Sequence, residues 1–231
     1  MDEALLTLLR QVDTPTVCNA IEVVEGWRGF DRCTRGTVLS SAPEAGAIVG
    51  YARTATVAAS APCEDPPETV RDRRMAYYRH MADAPRPTVA VIEDLDGEDA
   101  CGAYWGEINT SVHKGFGIAG ALTNGLVRDL GDLPKGFPVI AGGIGPSHAF
   151  VHVREIGTKV TILGMAVEDG DLVHADRHGA AVIPASCIPT LAAAIDRLQS
   201  VESIVLNAAK AEGFDFAAFE AAWAEFEKAK T

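Results

Sequence analysis

Short β-branched runs recur through the middle of this 231-residue chain, each bounded by glycine, proline or acidic residues, and that spacing limits the folds available to it. Thr88 to Ile92 ends at Glu93-Asp94-Leu95-Asp96, and similar runs follow at Ile118–Leu122, Val139–Ala141, Val151–Val153, Val160–Leu163 and Ala180–Ile183. Strands this short bury little by themselves and must assemble into a sheet. Between two of them, Glu107–Lys114 has room for about two helical turns before Gly115. Strand, loop, short helix and strand in that order predict a mixed α/β fold.

Helical patterns flank this region. Thr14-Pro15 predicts a helix start with the hydroxyl as cap, and Gly26 its stop. Val17, Ile21 and Val24 then share one face, leaving Asn19, Glu22 and Glu25 on or beside the other. Asp65-Pro66-Pro67-Glu68 resembles a capping box opening a charged, solvent-side helix through about Met81. From Ser186 the chain turns alanine-rich and reads as helix to about Ala211, then again from Asp215, where Phe216, Phe219, Trp223 and Phe226 form a stripe read as packing. With no repeat, low-complexity tract or dividing linker, residues 1–231 are expected to form one domain with a helical C-terminal end.

The formal charge of −12 argues against nucleic acid and anionic membrane as partners. No apolar run approaches the ~18 residues of a spanning helix, and the start MDEALLTLLRQ is acidic where a secretory signal is basic, so a cytoplasmic location is expected. The five cysteines, Cys18, Cys33, Cys63, Cys101 and Cys187, form no C-x-x-C pair and read as reduced thiols.

Several motifs fail on spacing. Gly142-Gly143-Ile144-Gly145 lacks the spacing of a nucleotide loop, runs into Pro146 and reads as a glycine-rich turn between strands. In an extended strand His148, Phe150, His152 and Arg154 would share a solvated or subunit-facing side. His174-Ala175-Asp176-Arg177-His178 reads as a structural turn, with a histidine metal site as the competing reading. No G-x-S-x-G appears, and of six lysines only Lys159 abuts an apolar strand, which disfavours imine catalysis.

The most informative stretch is Gly102–Asp132. Trp105-Gly106-Glu107 begins the short helix, and a glycine there lets an anion approach the free amides of the helix N-terminus. The run Ile118–Leu122 then leads into Thr123-Asn124-Gly125-Leu126-Val127-Arg128-Asp129. This sets a guanidinium beside a carboxylate just past a strand end, where open α/β sheets place ligands. Arginine can fork onto a carboxylate, and aspartate can hold a hard divalent cation whose shell water completes.

These residues resemble the family of class II 4-hydroxy-4-methyl-2-oxoglutarate aldolases, which also contains the regulator of ribonuclease activity A. The likeness runs from Thr14-Pro15-Thr16-Val17-Cys18-Asn19-Ala20 to Gly170-Asp171-Leu172-Val173-His174-Ala175-Asp176 and Gly179…Pro184, and is most specific at Gly106-Glu107 and Gly125-Leu126-Val127-Arg128-Asp129. It implies an RraA-like α/β fold, a ββα swivelling-type core with mixed sheets. It also implies that Gly106, Glu107, Ile108 and Asn109 present backbone amides to a pyruvate carboxylate, that Arg128 binds substrate as the catalytic residue, and that Asp129 anchors Mg²⁺ or Mn²⁺. The activity implied is cleavage of a small 4-hydroxy-2-oxo acid to pyruvate, with oxaloacetate decarboxylation through the same enolate. A homotrimer or dimer of trimers is implied, and Glu22 and Glu25 are candidates for completing a neighbour's site. Two positions depart from the family pattern: Asn124 replaces an aspartate before the glycine, and Ile108-Asn109 replaces a more apolar pair. The rival readings are a non-catalytic, protein-binding regulator of ribonuclease activity and a metalloenzyme using His174 and His178.

Overall fold

A computed structural model of the chain describes residues 1–230, with Lys230 described by backbone only. Helices α1 (Glu3–Gln11) and α2 (Thr14–Glu25) lead into strands β1 (Leu39–Ser40) and β2 (Ile48–Ala58). Then follow α3 (Pro67–Ala82), β3 (Thr88–Asp94), α4 (Glu107–Gly115), β4 (Ala121–Thr123), β5 (Leu126–Val127), β6 (Val139–Ala141) and β7 (Gly143–Ile144). The chain continues with β8 (His152–Ile156), β9 (Val160–Ile162), β10 (Met165–Val167), β11 (Leu172–Asp176), β12 (Gly179–Ile183), α5 (Ile188–Ala209) and α6 (Phe216–Lys230).

The main sheet runs β1-β6-β4-β3-β2-β11-β12, with β8 also on β2. Strands β2, β3, β4 and β6 are mutually parallel, while β1, β8, β11 and β12 join antiparallel. The fold is therefore mixed α/β, as the sequence predicts. Strand β3 occupies the centre, and its period-2 alternation sends Val89 and Val91 to one face and Ala90 and Ile92 to the other, all inaccessible to solvent. The β9–β10 hairpin covers the first face through Val160, Ile162, Met165 and Val167. Helix α3 covers the second through Tyr77 and Met81, together with Trp105 and Phe137. Helices α1, α2 and α5 pack on the far end, where Leu9, Val17, Ile21, Leu191 and Ile195 meet Val49, Leu172 and Ile183. Among the described residues, no helix is long and apolar enough to cross a membrane.

Local chemistry corrects several expectations. Asp13, not Thr14, caps α2 by accepting the Thr16 amide at 2.9 Å, while the Thr14 hydroxyl turns inward to His174; Gly26 does end the helix, at φ +72°. No capping box forms on α3, because Asp65 is drawn to Arg73 at 2.8 Å and Pro66 offers no side-chain cap. His148 lies outside β8 and is exposed, whereas His152 is buried, so the two share no solvated strand face. Gly143 and Ile144 are more than a turn: they pair in parallel with Leu126 and Val127. The aromatic stripe of α6 is not core. Phe216 is 74% exposed and Trp223 42%, and the rings of Phe216, Phe219, Trp223 and Phe226 stack along the helix at centroid spacings of 5.1–6.0 Å.

Candidate functional site

The parallel strands β3, β4 and β6 end on one edge of the sheet, and the chain leaving β4 turns there through Asn124-Gly125 into β5. Asn124 locks the turn from its side chain: its Oδ1 accepts the Asp94 amide at 2.7 Å and its Nδ2 donates to the Asp94 carbonyl at 2.8 Å. Only a carboxamide can do both, since an ionised carboxylate has no proton to donate. Asn124 therefore acts here as a clamp on the end of β3. Gly125 is needed beside it because a Cβ would lie 2.7 Å from Asp94 Oδ2. Burial pushes the Asp94 carboxyl up to about 6, partly opposed by the Asp96 amide that donates to it.

From this turn β5 carries the chain alongside β7 and Trp105. The Arg128 amide donates to the Trp105 carbonyl at 2.8 Å, which delivers Arg128 and Asp129 to the first turn of α4. Gly106 is its N-cap, and a Cβ there would sit 2.6 Å from Asp129 Oδ2 and 2.9 Å from Arg128 Nε. Glycine is thus a steric requirement of stacking the arginine and aspartate on the helix end. Asp129 Oδ2 accepts the Glu107 amide at 3.1 Å, and the Arg128 guanidinium stands 3.5 Å from Asp129 Oδ1. Asp129 holds φ at +56°, a left-handed conformation that costs a non-glycine residue roughly 1–3 kcal/mol and is concentrated at functional sites.

Two groups here lack partners. Arg128 Nε is buried with no acceptor, as is Trp105 Nε1. Among the described residues no acceptor meets the amides of Ile108 and Asn109, while the Thr110 amide bonds back to Gly106. A buried guanidinium N–H left open beside two open helix amides is a site for an anion. The structure so brings together Gly106, Glu107, Ile108, Asn109, Arg128 and Asp129. The Asn109 side chain faces the other way, toward Tyr78 and Tyr104.

The other candidates fall apart as sites. His174 is buried and neutral: Nε2 donates to the Leu9 carbonyl at 2.8 Å and Nδ1 accepts from Thr14 at 3.0 Å, so both ring nitrogens tie β11 to the N-terminal helices. Burial works to raise Asp176, but the Thr14 and His178 amides outweigh it and hold its carboxyl below the usual range. Lys159 is exposed and pairs with Glu168. Glu22 Oε1 accepts the Gly29 and Phe30 amides, and Glu25 lies on exposed helix α2 surface. Among the described residues no three His, Cys, Asp or Glu side chains group as a metal cage. A cavity of about 750 Å³ lies elsewhere, between α2, α5 and α6, with Val23, Trp27, Trp223 and Phe226 in its walls.

Sequence reasoning missed the buried groups behind the site, namely Asp94 and the Tyr77–His113 pair. Their signal was faint: Asp94 reads as one more acid in a strand-ending cluster, and His113 falls four residues from Asn109, one helical turn away.

Comparison with known proteins agrees with this architecture. An uncharacterized protein of Methanocaldococcus jannaschii is 32% identical over 91 residues, 38% of this chain and 44% of the relative. The aligned region thus spans less than half of that protein. A solved structure of an uncharacterized Pseudomonas syringae protein superposes with a TM-score of 0.70 at 19% identity, covering 97% of this chain and 94% of that one. A Streptomyces coelicolor protein, an unusual member of the RNase ES inhibitor RraA protein family, superposes at 0.65 with 24% identity over 87% of this chain and 96% of its own. Those likenesses show the fold alone. The family model for RraA-like proteins, Aldolase/RraA, matches residues 14–182, which takes in Gly106, Arg128 and Asp129, and the chain belongs to that family.

Proposed function

We propose that this protein is a divalent-metal-dependent carbon–carbon lyase. It cleaves 4-hydroxy-4-methyl-2-oxoglutarate or a related 4-hydroxy-2-oxo acid to pyruvate, and decarboxylates oxaloacetate at the same site. The observation that carries this reading is the buried, partnerless Arg128 Nε stacked with Asp129 over Gly106, beside two open helix amides.

Each residue then has a task. The amides of Ile108 and Asn109 receive the substrate carboxylate, aided by the positive end of α4. The missing Cβ of Gly106 lets Arg128 and Asp129 stack on the helix end beside those amides, and the Glu107 amide orients Asp129. Arg128 places fixed positive charge where the 2-oxo oxygen gains negative charge as the carbon–carbon bond breaks. Asp129 is the anchor for Mg²⁺ or Mn²⁺. Such hard ions keep several waters and take one or two carboxylates plus substrate oxygens, which suits a lone aspartate better than a closed tetrahedral zinc set would. The bound ion would supply Lewis-acid stabilisation of the developing charge. A lysine imine is not required, in keeping with the exposed, ion-paired Lys159.

Exposed Ile108, Leu130 and Ile144 flank these groups, an apolar rim suited to neighbouring subunits of a homotrimer or dimer of trimers. Arg128→Ala and Asp129→Ala are each expected to abolish oxaloacetate decarboxylation while far-UV circular dichroism stays native. Chelation should remove the activity of the unaltered protein and Mg²⁺ or Mn²⁺ restore it. Turnover indifferent to EDTA overturns the metal assignment; no turnover by the metal-loaded protein overturns the enzyme reading in favour of a protein-binding regulator.

A further inference from the structure

Behind the open amides, a polar cluster with a buried Tyr77–His113 pair at its base converges on one residue of α4 and is not accounted for by the chemistry above. Asn109 Oδ1 accepts the Tyr78 hydroxyl at 2.7 Å, and Asn109 Nδ2 donates to the Tyr104 carbonyl at 2.6 Å. The Asn109 carbonyl accepts from His113 Nδ1 at 2.5 Å, and His113 Nε2 lies 2.6 Å from the Tyr77 hydroxyl. A carbonyl only accepts, so the ring proton sits on Nδ1, leaving Nε2 to accept from Tyr77. His113 and Tyr77 are wholly inaccessible, and the Trp105 ring meets the imidazole edge-on at 4.8 Å between centroids. Helix α3 thus grips the first turn of α4 through Tyr78 on the Asn109 side chain and through Tyr77 and His113 on its main chain.

Packing alone does not call for this cluster. Apolar side chains of similar shape would fill the space between α3 and α4 without four polar groups needing partners. What the cluster adds is position: Asn109 is held on its side chain and, through its carbonyl, on the Asn109–Thr110 peptide, so its Cα is fixed and with it the Ile108–Asn109 peptide whose N–H points out of the helix end. Thr110 Oγ1, donating to the Gly106 carbonyl at 2.8 Å, fixes the preceding turn. Dipoles held rigidly before the ligand arrives need no reorganisation on binding.

We infer that His113, backed by Tyr77, is a positioning residue that, by fixing Asn109, aims the Asn109 amide at the carboxylate of a 2-oxo acid. The inference rests on the lyase reading for the identity of the ligand. It predicts that damage to the cluster weakens carboxylate binding and spares the metal anchor.

The test measures oxalate binding, as a compact mimic of the pyruvate enolate, by calorimetry with Mg²⁺ present, and Mn²⁺ binding separately by electron paramagnetic resonance. His113→Leu removes both contacts and should weaken oxalate about tenfold or more. His113→Asn puts a side-chain N–H near the Nδ1 position, so it keeps the Asn109 carbonyl contact while losing the one to Tyr77, and should cost several-fold less oxalate affinity than His113→Leu. Mn²⁺ affinity should be unchanged in both. Unchanged oxalate binding in His113→Leu overturns the inference, as does equal loss in the two variants or a parallel loss of Mn²⁺. Should His113→Leu fail to fold, Tyr77→Phe carries the test, since it strands Nε2 without a donor and should weaken oxalate alone. If the unaltered protein binds neither oxalate nor Mn²⁺, it is the lyase reading that fails.

Discussion

At the scale of single residues, the site depends on two atoms that are missing and one that is present. Gly106 lacks the Cβ that would collide with Arg128 Nε and with Asp129 Oδ2, which the Glu107 amide holds in place. Gly106→Ala should therefore displace the pair and lower oxaloacetate turnover by roughly a hundredfold, in line with losing a preorganised electrostatic contact. Steady-state kinetics with saturating Mg²⁺ reads this directly, and turnover near the unaltered rate would mean that the stacking has no catalytic weight. Gly125 likewise makes way for Asp94. The atom that is present is the amide nitrogen of Asn124. Changing Asn124→Asp loses the donor to the Asp94 carbonyl and adds a second carboxylate beside a buried one, so it should destabilise by about 1–3 kcal/mol. Urea unfolding at neutral pH checks this, and a gain in stability would contradict the clamp. The Gly106, Arg128 and Asp129 constellation was legible in the sequence because glycine, guanidinium and carboxylate each have a distinctive chemistry. The role of Asn124 was not, because it depends on where the end of β3 lies in space.

At the scale of elements, short β-branched runs located the sheet but not its longest member. Strand β2, IVGYARTATVA, is buried along most of its length yet carries Gly50, Arg53 and the small, buried Ala52 and Ala55, so it shows no clean period. Its burial arises from pairing on both edges, with β3 on one side and β11 and β8 on the other, which no local pattern can show. The same burial governs two groups that titrate in opposite senses. Burial lowers His113 to about 4, so its contribution to stability is full above the unfolded value near 6.5 and is lost as pH falls toward 4. Asp94 is raised to about 6 by burial, so its contribution is full below the unfolded value near 3.8 and is lost as pH rises through 6. Between about pH 4 and 6 the two slopes oppose each other and stability should be nearly flat for their part. Asp94→Asn removes one slope and still presents an oxygen to the Asp96 amide. Relative to the unaltered protein, the variant should gain on the order of 2 kcal/mol as pH rises from 4 to 7. Thermal melts across that range decide it, and a difference independent of pH would show that Asp94 is ionised in the fold at no cost.

At the scale of the whole molecule, the acidic charge bears on how an anionic substrate is met, and the apolar surface beside the site bears on the proposed assembly. A chain with formal charge −12 repels a dianionic acid at long range, but screening limits this to about 8 Å at physiological salt, so local positive groups decide binding. Arg128 and the α4 amides supply them, yet one chain leaves Ile108, Leu130 and Ile144 exposed beside them. Ile144 is the useful probe, because its backbone pairs with Val127, the residue before Arg128, while its side chain is exposed. Under the proposed trimer, this residue lies against a neighbouring subunit that walls the 2-oxo acid in. Ile144→Glu should then break the assembly to monomer in size-exclusion chromatography with light scattering and lower turnover at least about tenfold, although Arg128 and Asp129 are untouched. Its unfolding midpoint at micromolar protein should fall and, unlike that of the unaltered protein, should no longer depend on concentration. A trimer that survives the substitution moves the interface away from this rim, and a fully active monomer means that one chain completes the site by itself.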